Sequence, residues 1–143
     1  MYCTEQNIID RLSLAGLMYL LDDDADESYE SADSDIVAEA INDASDEIDV
    51  YVARWFENPR TTLSGNSWLK GRCVDIACER LCERKGQNVP ASLLSAVGRT
   101  REWLAAVATG DLRIPQAVYP TDGTNIEDLR EFGLPRVSNP RVR

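Results

Sequence analysis

Residues 34–56 read Ser34-Asp35-Ile36-Val37-Ala38-Glu39-Ala40-Ile41-Asn42-Asp43-Ala44-Ser45-Asp46-Glu47-Ile48-Asp49-Val50-Tyr51-Val52-Ala53-Arg54-Trp55-Phe56. At 100° per residue, Val37, Ile41, Ala44, Ile48, Tyr51, Val52 and Trp55 fall within an arc of about 100°. Asp35, Glu39, Asp43, Asp46 and Asp49 gather on the opposite side. This pattern predicts a helix of about six turns with one buried face and one acidic face. Ile36 and Val50 interrupt the polar side, where apolar residues suit a contact between subunits.

Downstream, Asn58-Pro59 stops this helix, and the segment to Asn66 is polar and contains Gly65. A further helix is predicted from Ser67 to about Lys85, ending at Gly86. Its apolar residues Leu69, Cys73, Val74, Ile76, Ala77, Cys78 and Leu81 cover more than half its circumference, which places it in the middle of the domain. Arg72, Arg80 and Arg84 punctuate it, with stems able to lie along the core and guanidinium groups reaching outward. Pro90 opens another helix that Gly110 closes, with Leu93, Leu94, Val97, Leu104 and Val107 as its inward stripe. Trp55, Trp68 and Trp103 read as core or interface anchors.

Upstream, Thr4 to about Leu21 carries apolar residues at Ile8, Ile9, Leu12, Leu17 and Leu20 or Leu21, and Gly16 is expected to split it into two short helices. The aspartates from Asp22 onward suggest a calcium loop, but the sixth position is Glu27, not glycine, and the twelfth is Asp33, not glutamate. A solvated acidic turn is the better reading. The fold expected is therefore all-α, a small bundle of about four to five helices over residues 1–115, followed by an extended arm over residues 116–143.

Charge is sorted along the chain. Residues 1–57 hold 16 Asp or Glu against 2 Arg, and residues 58–143 hold 9 against 13 Lys or Arg, so the net of -10 combines a strongly acidic first part with a basic second part. Such sorting suits a protein that meets different partners through different faces. Histidine is absent, which removes the commonest general base and metal ligand, and no glycine-rich phosphate loop, HExxH or GxSxG occurs. No catalytic residue, metal ligand or cofactor site is predicted, and the chain is expected not to be an enzyme. Cys3, Cys73, Cys78 and Cys82 read as reduced packing thiols; a zinc site from all four would need Cys3 folded onto the helix that carries the others. No apolar run reaches the roughly 20 residues of a bilayer span, and no signal segment opens the chain, so a soluble protein made in the cytoplasm and not associated with membrane is expected.

Beyond Pro115 the prolines at 115, 120, 135 and 140 prevent any long helix. After Glu131 no acid remains, while Arg136, Arg141 and Arg143 alternate with Leu134, Val137 and Val142. These six residues describe an extended basic segment that reads either as plain disorder, the usual fate of termini, or as a segment that orders in a partner's groove.

Several segments carry a family resemblance. Met1-Tyr2-Cys3-Thr4 through Ile8-Ile9-Asp10-Arg11, and Ala40-Ile41-Asn42-Asp43-Ala44-Ser45-Asp46-Glu47-Ile48-Asp49-Val50-Tyr51, resemble the Mu-type phage head-tail connector proteins. Cys73-Val74-Asp75-Ile76-Ala77 through Leu81 is similar to that family's central helix, and Trp103-Leu104-Ala105-Ala106-Val107-Ala108-Thr109-Gly110-Asp111-Leu112 to its last helix and exit turn. The likeness spans residues 1–115; the loop 57–66 and the arm depart from it. It implies a non-catalytic adaptor forming a ring, usually of twelve copies, between the portal protein and a stopper or tail-completion protein in the virion neck, assembled in the host cytoplasm. Genomic DNA would pass through without specific binding. It further implies that the arm, with Leu134, Arg136, Val137, Arg141, Val142 and Arg143, docks on the portal.

In that setting the carboxylates Asp35, Glu39, Asp43, Asp46 and Asp49 suit a lumen or ring surface that repels phosphate. Subunits would meet partly through Ile36, Val50, Arg72, Arg80 and Arg84, in a heterologous contact that closes a ring. The alternative is an acidic regulatory module that mimics DNA to occupy a basic cleft on a host protein; the basic second part of the chain argues against it.

Overall fold

The computed structural model describes residues 1–23 and 28–119. Within them the chain forms six helices: α1 (Glu5–Leu12), α2 (Leu14–Leu21), α3 (Ser31–Val52), α4 (Pro59–Thr62), α5 (Ser67–Arg84) and α6 (Ala91–Thr109). No strand occurs among the described residues. The fold is all-α, with one more short helix than the sequence led us to expect, because Pro59 starts α4 inside the segment read as loop.

Local chemistry sets the boundaries. The break between α1 and α2 falls at Ser13, not Gly16. Ser13 takes φ 67°, and its Oγ accepts from Gly16 N–H at 3.1 Å, ending one helix and capping the next. The acidic helix starts three residues before Ser34, since Glu30 N–H donates to Asp33 Oδ2 at 2.9 Å in a reciprocal cap. It ends at Val52, and residues 53–56 turn away. Asn66 Oδ1 accepts from Leu69 N–H at the start of α5. Gly86, at φ 68°, ends it by letting Gln87 N–H reach back to Cys82 O at 3.1 Å.

Helix α5 is the centre of the molecule. It packs against α3, α6, α1 and α2, and Leu69, Cys73, Ile76, Ala77, Cys78 and Leu81 are buried along it. From α3, Val37, Ala40, Ile41, Ala44, Ile48 and Val52 face it, joined by Ile8, Leu17 and Leu21 from the first two helices and Leu93, Val97, Leu104 and Val107 from α6. Tyr51 and Trp55 pack at the margin of this core.

Both ends of the described chain are tied down. Tyr2 and Cys3 are buried; Tyr2 N–H donates to Ser45 Oγ at 3.3 Å and its hydroxyl to Asp49 Oδ1 at 2.5 Å. At the other end Ile114 is buried, and the Tyr119 ring sits 4.9 Å from Phe56 and 6.1 Å from Trp55 between centroids. Its hydroxyl accepts from Ile114 N–H at 2.9 Å. Packing therefore continues through residue 119, past the division at 115/116 that the prolines suggested, because the Tyr119 ring covers the aromatic end of the core.

Candidate assembly surfaces

The five carboxylates singled out on α3 differ in their surroundings. Asp35, Glu39 and Asp43 are exposed and make no ion pair among the described residues. Asp46 is exposed but pairs with Arg60, and Arg60 Nε also donates to Asp49 Oδ2 at 2.6 Å. Asp49 accepts from Tyr2 as well, and its side chain is only 26% exposed. Position on a helical wheel could not show this, because Arg60 arrives from α4 and Tyr2 from the N-terminal segment. Of these five, the ones without an ion pair among the described residues are the three nearer the start of α3, from Asp35 to Asp43.

The residues expected at a subunit contact are also divided. Val50 is 78% exposed, while Ile36 is half-buried against the core. Arg72 lies between two indoles, with its guanidinium 5.5 Å from the Trp68 centroid and 4.6 Å from that of Trp103. Burial there pushes its pKa down, although Asp75 faces it at 4.0 Å. Arg80 Nη2 donates to Glu47 Oε2 at 3.1 Å, and Arg84 pairs with Asp23. Arg80 and Arg84 thus reach acids of their own subunit, on α3 and just after α2, whereas Arg72 stays on α5, stacked between the indoles and facing Asp75 of the same helix.

Sequence reasoning missed Arg101. Its Nε donates to Glu47 Oε1 at 2.7 Å and its Nη2 to Glu79 Oε1 at 2.8 Å, so α6 is clamped to α3 and α5 at once. Burial opposes the charge on Glu47, but the Arg101 and Arg80 guanidinium groups outweigh it and hold the carboxyl below its ordinary pKa. Nearby, the buried Asp75 accepts from Thr100 Oγ1 at 3.3 Å and has Arg11 Nη2 at 3.2 Å.

Two grooves flank α5. One, about 300 Å³, runs between α3 and α5, with Ile36, Ala40 and Leu81 as its floor, Glu39 and Asp43 on one rim and Arg80 and Arg84 on the other. It unites residues that the sequence had assigned to two separate surfaces. The other, about 400 Å³, lies between α1 and the start of α5, where Asp10, Arg11, Lys70, Arg72 and Asp75 mix both signs of charge.

A third surface went unnoticed in the sequence. Helix α2 buries Leu17, Leu20 and Leu21, yet Leu14 is 47% and Tyr19 64% exposed, with Ala15 exposed and Met18 half-buried beside them. Positions i, i+1, i+4 and i+5 form one stripe. The signal was present, since no charged residue occurs from Leu12 to Leu21, more apolar surface than an eight-residue helix needs for a single buried face.

The thiols are free and buried. Cys3 does lie on α5, its Sγ 3.0 Å from Cys73 Sγ, and donates to it; this raises the Cys3 pKa and lowers that of Cys73. Among the described residues no cluster of three or more Cys, Asp or Glu is placed to hold a metal ion, and no helix is long and apolar enough to cross a membrane.

The arrangement is a set of charge-sorted and apolar surfaces around a core helix, and comparison with known families agrees with a phage origin. The model of the phage family described as Bacteriophage Mu, Gp36 matches residues 2–128. The chain belongs to this family. No curated protein matches it. The Gp36-family match takes in all six helices, the N-terminal tuck at Tyr2 and the Tyr119 contact. Leu134, Arg136, Val137, Arg141, Val142 and Arg143 lie beyond it and outside the described residues.

Proposed function

We propose that this member of the Gp36 family is a structural head-tail connector: a ring, usually of twelve copies, that docks under the portal protein, extends the DNA channel and joins the capsid to a stopper or tail-completion protein. It catalyses no reaction and sits in the virion neck. The observation that carries this reading is the Gp36-family match across the whole helical domain. Asp35, Glu39 and Asp43, exposed and without an ion pair among the described residues, support it, since a channel wall that repels phosphate lets DNA pass without the counterion release that binding entails. The exposed stripe of α2 supports it too, as a surface that a neighbouring subunit would cover.

The reading as a DNA mimic has less support. Arg60 neutralises Asp46 and Asp49, which leaves a short acidic strip in place of a long one.

Electron microscopy of purified virions, with the chain traced into the density, tests the proposal. A ring of this protein between portal and tail is expected. Density for it elsewhere, or its absence from intact virions, would overturn the connector role. For the arm, a chain ending at Tyr119 is expected to stay folded and lose binding to purified portal; undiminished portal binding would remove the docking role.

A further inference from the structure

The α3–α5 groove has an apolar floor and an unbalanced rim. On the basic side, Arg80 is engaged by Glu47, and Arg84 by Asp23. On the acidic side, Glu39 and Asp43 make no ion pair among the described residues, and Asp35 lies one turn from Glu39. The net field at the opening is negative, so a suitable occupant carries cations and small apolar side chains and no acid.

The chain contains such a segment. Residues 120–131 hold four acids and one arginine, whereas residues 132–143 hold three arginines and no acid. Leu134, Val137 and Pro140 recur every third residue, the period that puts side chains on one edge of an extended proline-containing segment. Arg136, Arg141 and Arg143 fall between and after them. Geometry permits the approach from the same chain. Tyr119 is anchored on Phe56, four residues past the end of α3 at Val52, and from Val52 back to Ala40 is about 18 Å at 1.5 Å per helical residue. The twelve residues 120–131 reach about 40 Å when extended.

We propose that residues 132–143 dock in the α3–α5 groove of their own subunit, with Leu134 and Val137 over Ile36, Ala40 and Leu81 and the arginines beside Glu39, Asp43 and Asp35. Tethering makes a weak site sufficient. At an effective concentration of the order of 1 mM, a site with a Kd of about 0.1 mM is filled about nine-tenths of the time. The consequence is that the free subunit covers its own acidic strip. The inference rests on the groove and the arm sequence and does not depend on the connector reading.

A nitroxide at Ser138→Cys tests it in the full chain, because the four native thiols are buried. In a sample labelled with ¹⁵N and ¹³C-methyl groups, the Ile36 and Leu81 methyl signals and the Glu39 and Asp43 amide signals should lose most of their intensity. They should recover it in Glu39→Lys/Asp43→Lys, a surface double variant expected to fold normally, and relapse when Arg136→Glu and Arg141→Glu are added to it. In a mixture of isotope-labelled chains without nitroxide and unlabelled chains with it, the signals should stay intact. Loss of signal in that mixture would put the arm in a second copy's groove and overturn the proposal. So would loss spread evenly over the surface, or insensitivity to both sets of charge reversals.

Discussion

Arg101 and Glu47 face each other across the junction of α6 and α3, with Arg101 Nε donating to Glu47 Oε1 at 2.7 Å and Arg80 approaching the second carboxylate oxygen from α5. Glu47 lies only four residues from Asp43, on the same helix, but Asp43 has no ion pair among the described residues. Glu47 joins three helices, whereas Asp43 faces the α3–α5 groove.

Glu47→Gln is expected to cost about 1–2 kcal/mol at neutral pH, the value for a charge-assisted hydrogen bond discounted for partial exposure of Arg101. The folded Glu47 carboxyl sits below its ordinary 4.5. Its contribution is therefore complete above about pH 4.5 and fades as pH falls through the folded value. Thermal unfolding should show a Tm gap of about 3–6 °C between parent and variant at pH 7, shrinking progressively below pH 4.5. A gap that persisted unchanged at pH 3 would rule this coupling out. Arg101→Met should cost more, about 2–3 kcal/mol, because Glu79 is buried and would lose this partner.

The second prediction concerns where the packed domain ends. A chain ending at Pro115 loses the Tyr119 ring from Phe56 and Trp55 and should be less stable than one ending at Tyr119 by about 2–3 kcal/mol. Urea unfolding followed by circular dichroism gives the comparison directly. Equal midpoints would mean that Tyr119 contributes nothing to the core.

Much of the fold was legible in the sequence, and the failures have physical causes. Helix α5 was placed at the centre because its apolar residues cover most of its circumference, a property of the helix alone. The inward faces of α3 and α6 followed from spacing in the same way, except at Leu94, which was read as inward and is 53% exposed beside the buried Leu93. Long-range partners did not. Arg60 folding back on Asp46 and Asp49, Tyr2 reaching Asp49, and Arg101 joining Glu47 to Glu79 each link residues 11 or more positions apart, and helical periodicity carries no information on them. The break at Ser13 was misplaced to Gly16 because glycine is the usual helix breaker, while the serine hydroxyl could cap the next helix. At the candidate surfaces, the acidic set was visible as a set, but its division into free and compensated members depends on these tertiary pairs.

Thiol reactivity should follow burial. Burial pushes Cys78 up to about 12, and Cys3 is raised by its donation to Cys73 and by burial. At pH 8 the folded protein should take up no iodoacetamide within the time that modifies all four cysteines in denaturant, as counted by mass spectrometry. Cys73, whose pKa is lowered by the Cys3 hydrogen bond, is still fully buried and should react only with unfolding. Rapid native modification of Cys73 would show that the N-terminal segment opens separately from the core.

The exposed stripe on α2 gives the sharpest test of assembly. Leu14 and Tyr19 are the large apolar side chains that α2 leaves facing solvent, so Leu14→Lys/Tyr19→Lys should leave the isolated subunit's stability within about 1 kcal/mol, the range for exposed positions. In a ring each subunit presents this stripe once, and covering a tyrosine and a leucine contributes about 3–5 kcal/mol per contact. Putting two charges there should prevent higher-order assembly on portal, read by sedimentation of mixtures with purified portal. Val50→Lys supplies the comparison: Val50 is more exposed but stands alone on an acidic face, and a lysine there should change assembly little. If the α2 variant assembled normally and the Val50 variant did not, the subunit contact would run along α3 and α2 would face solvent in the ring.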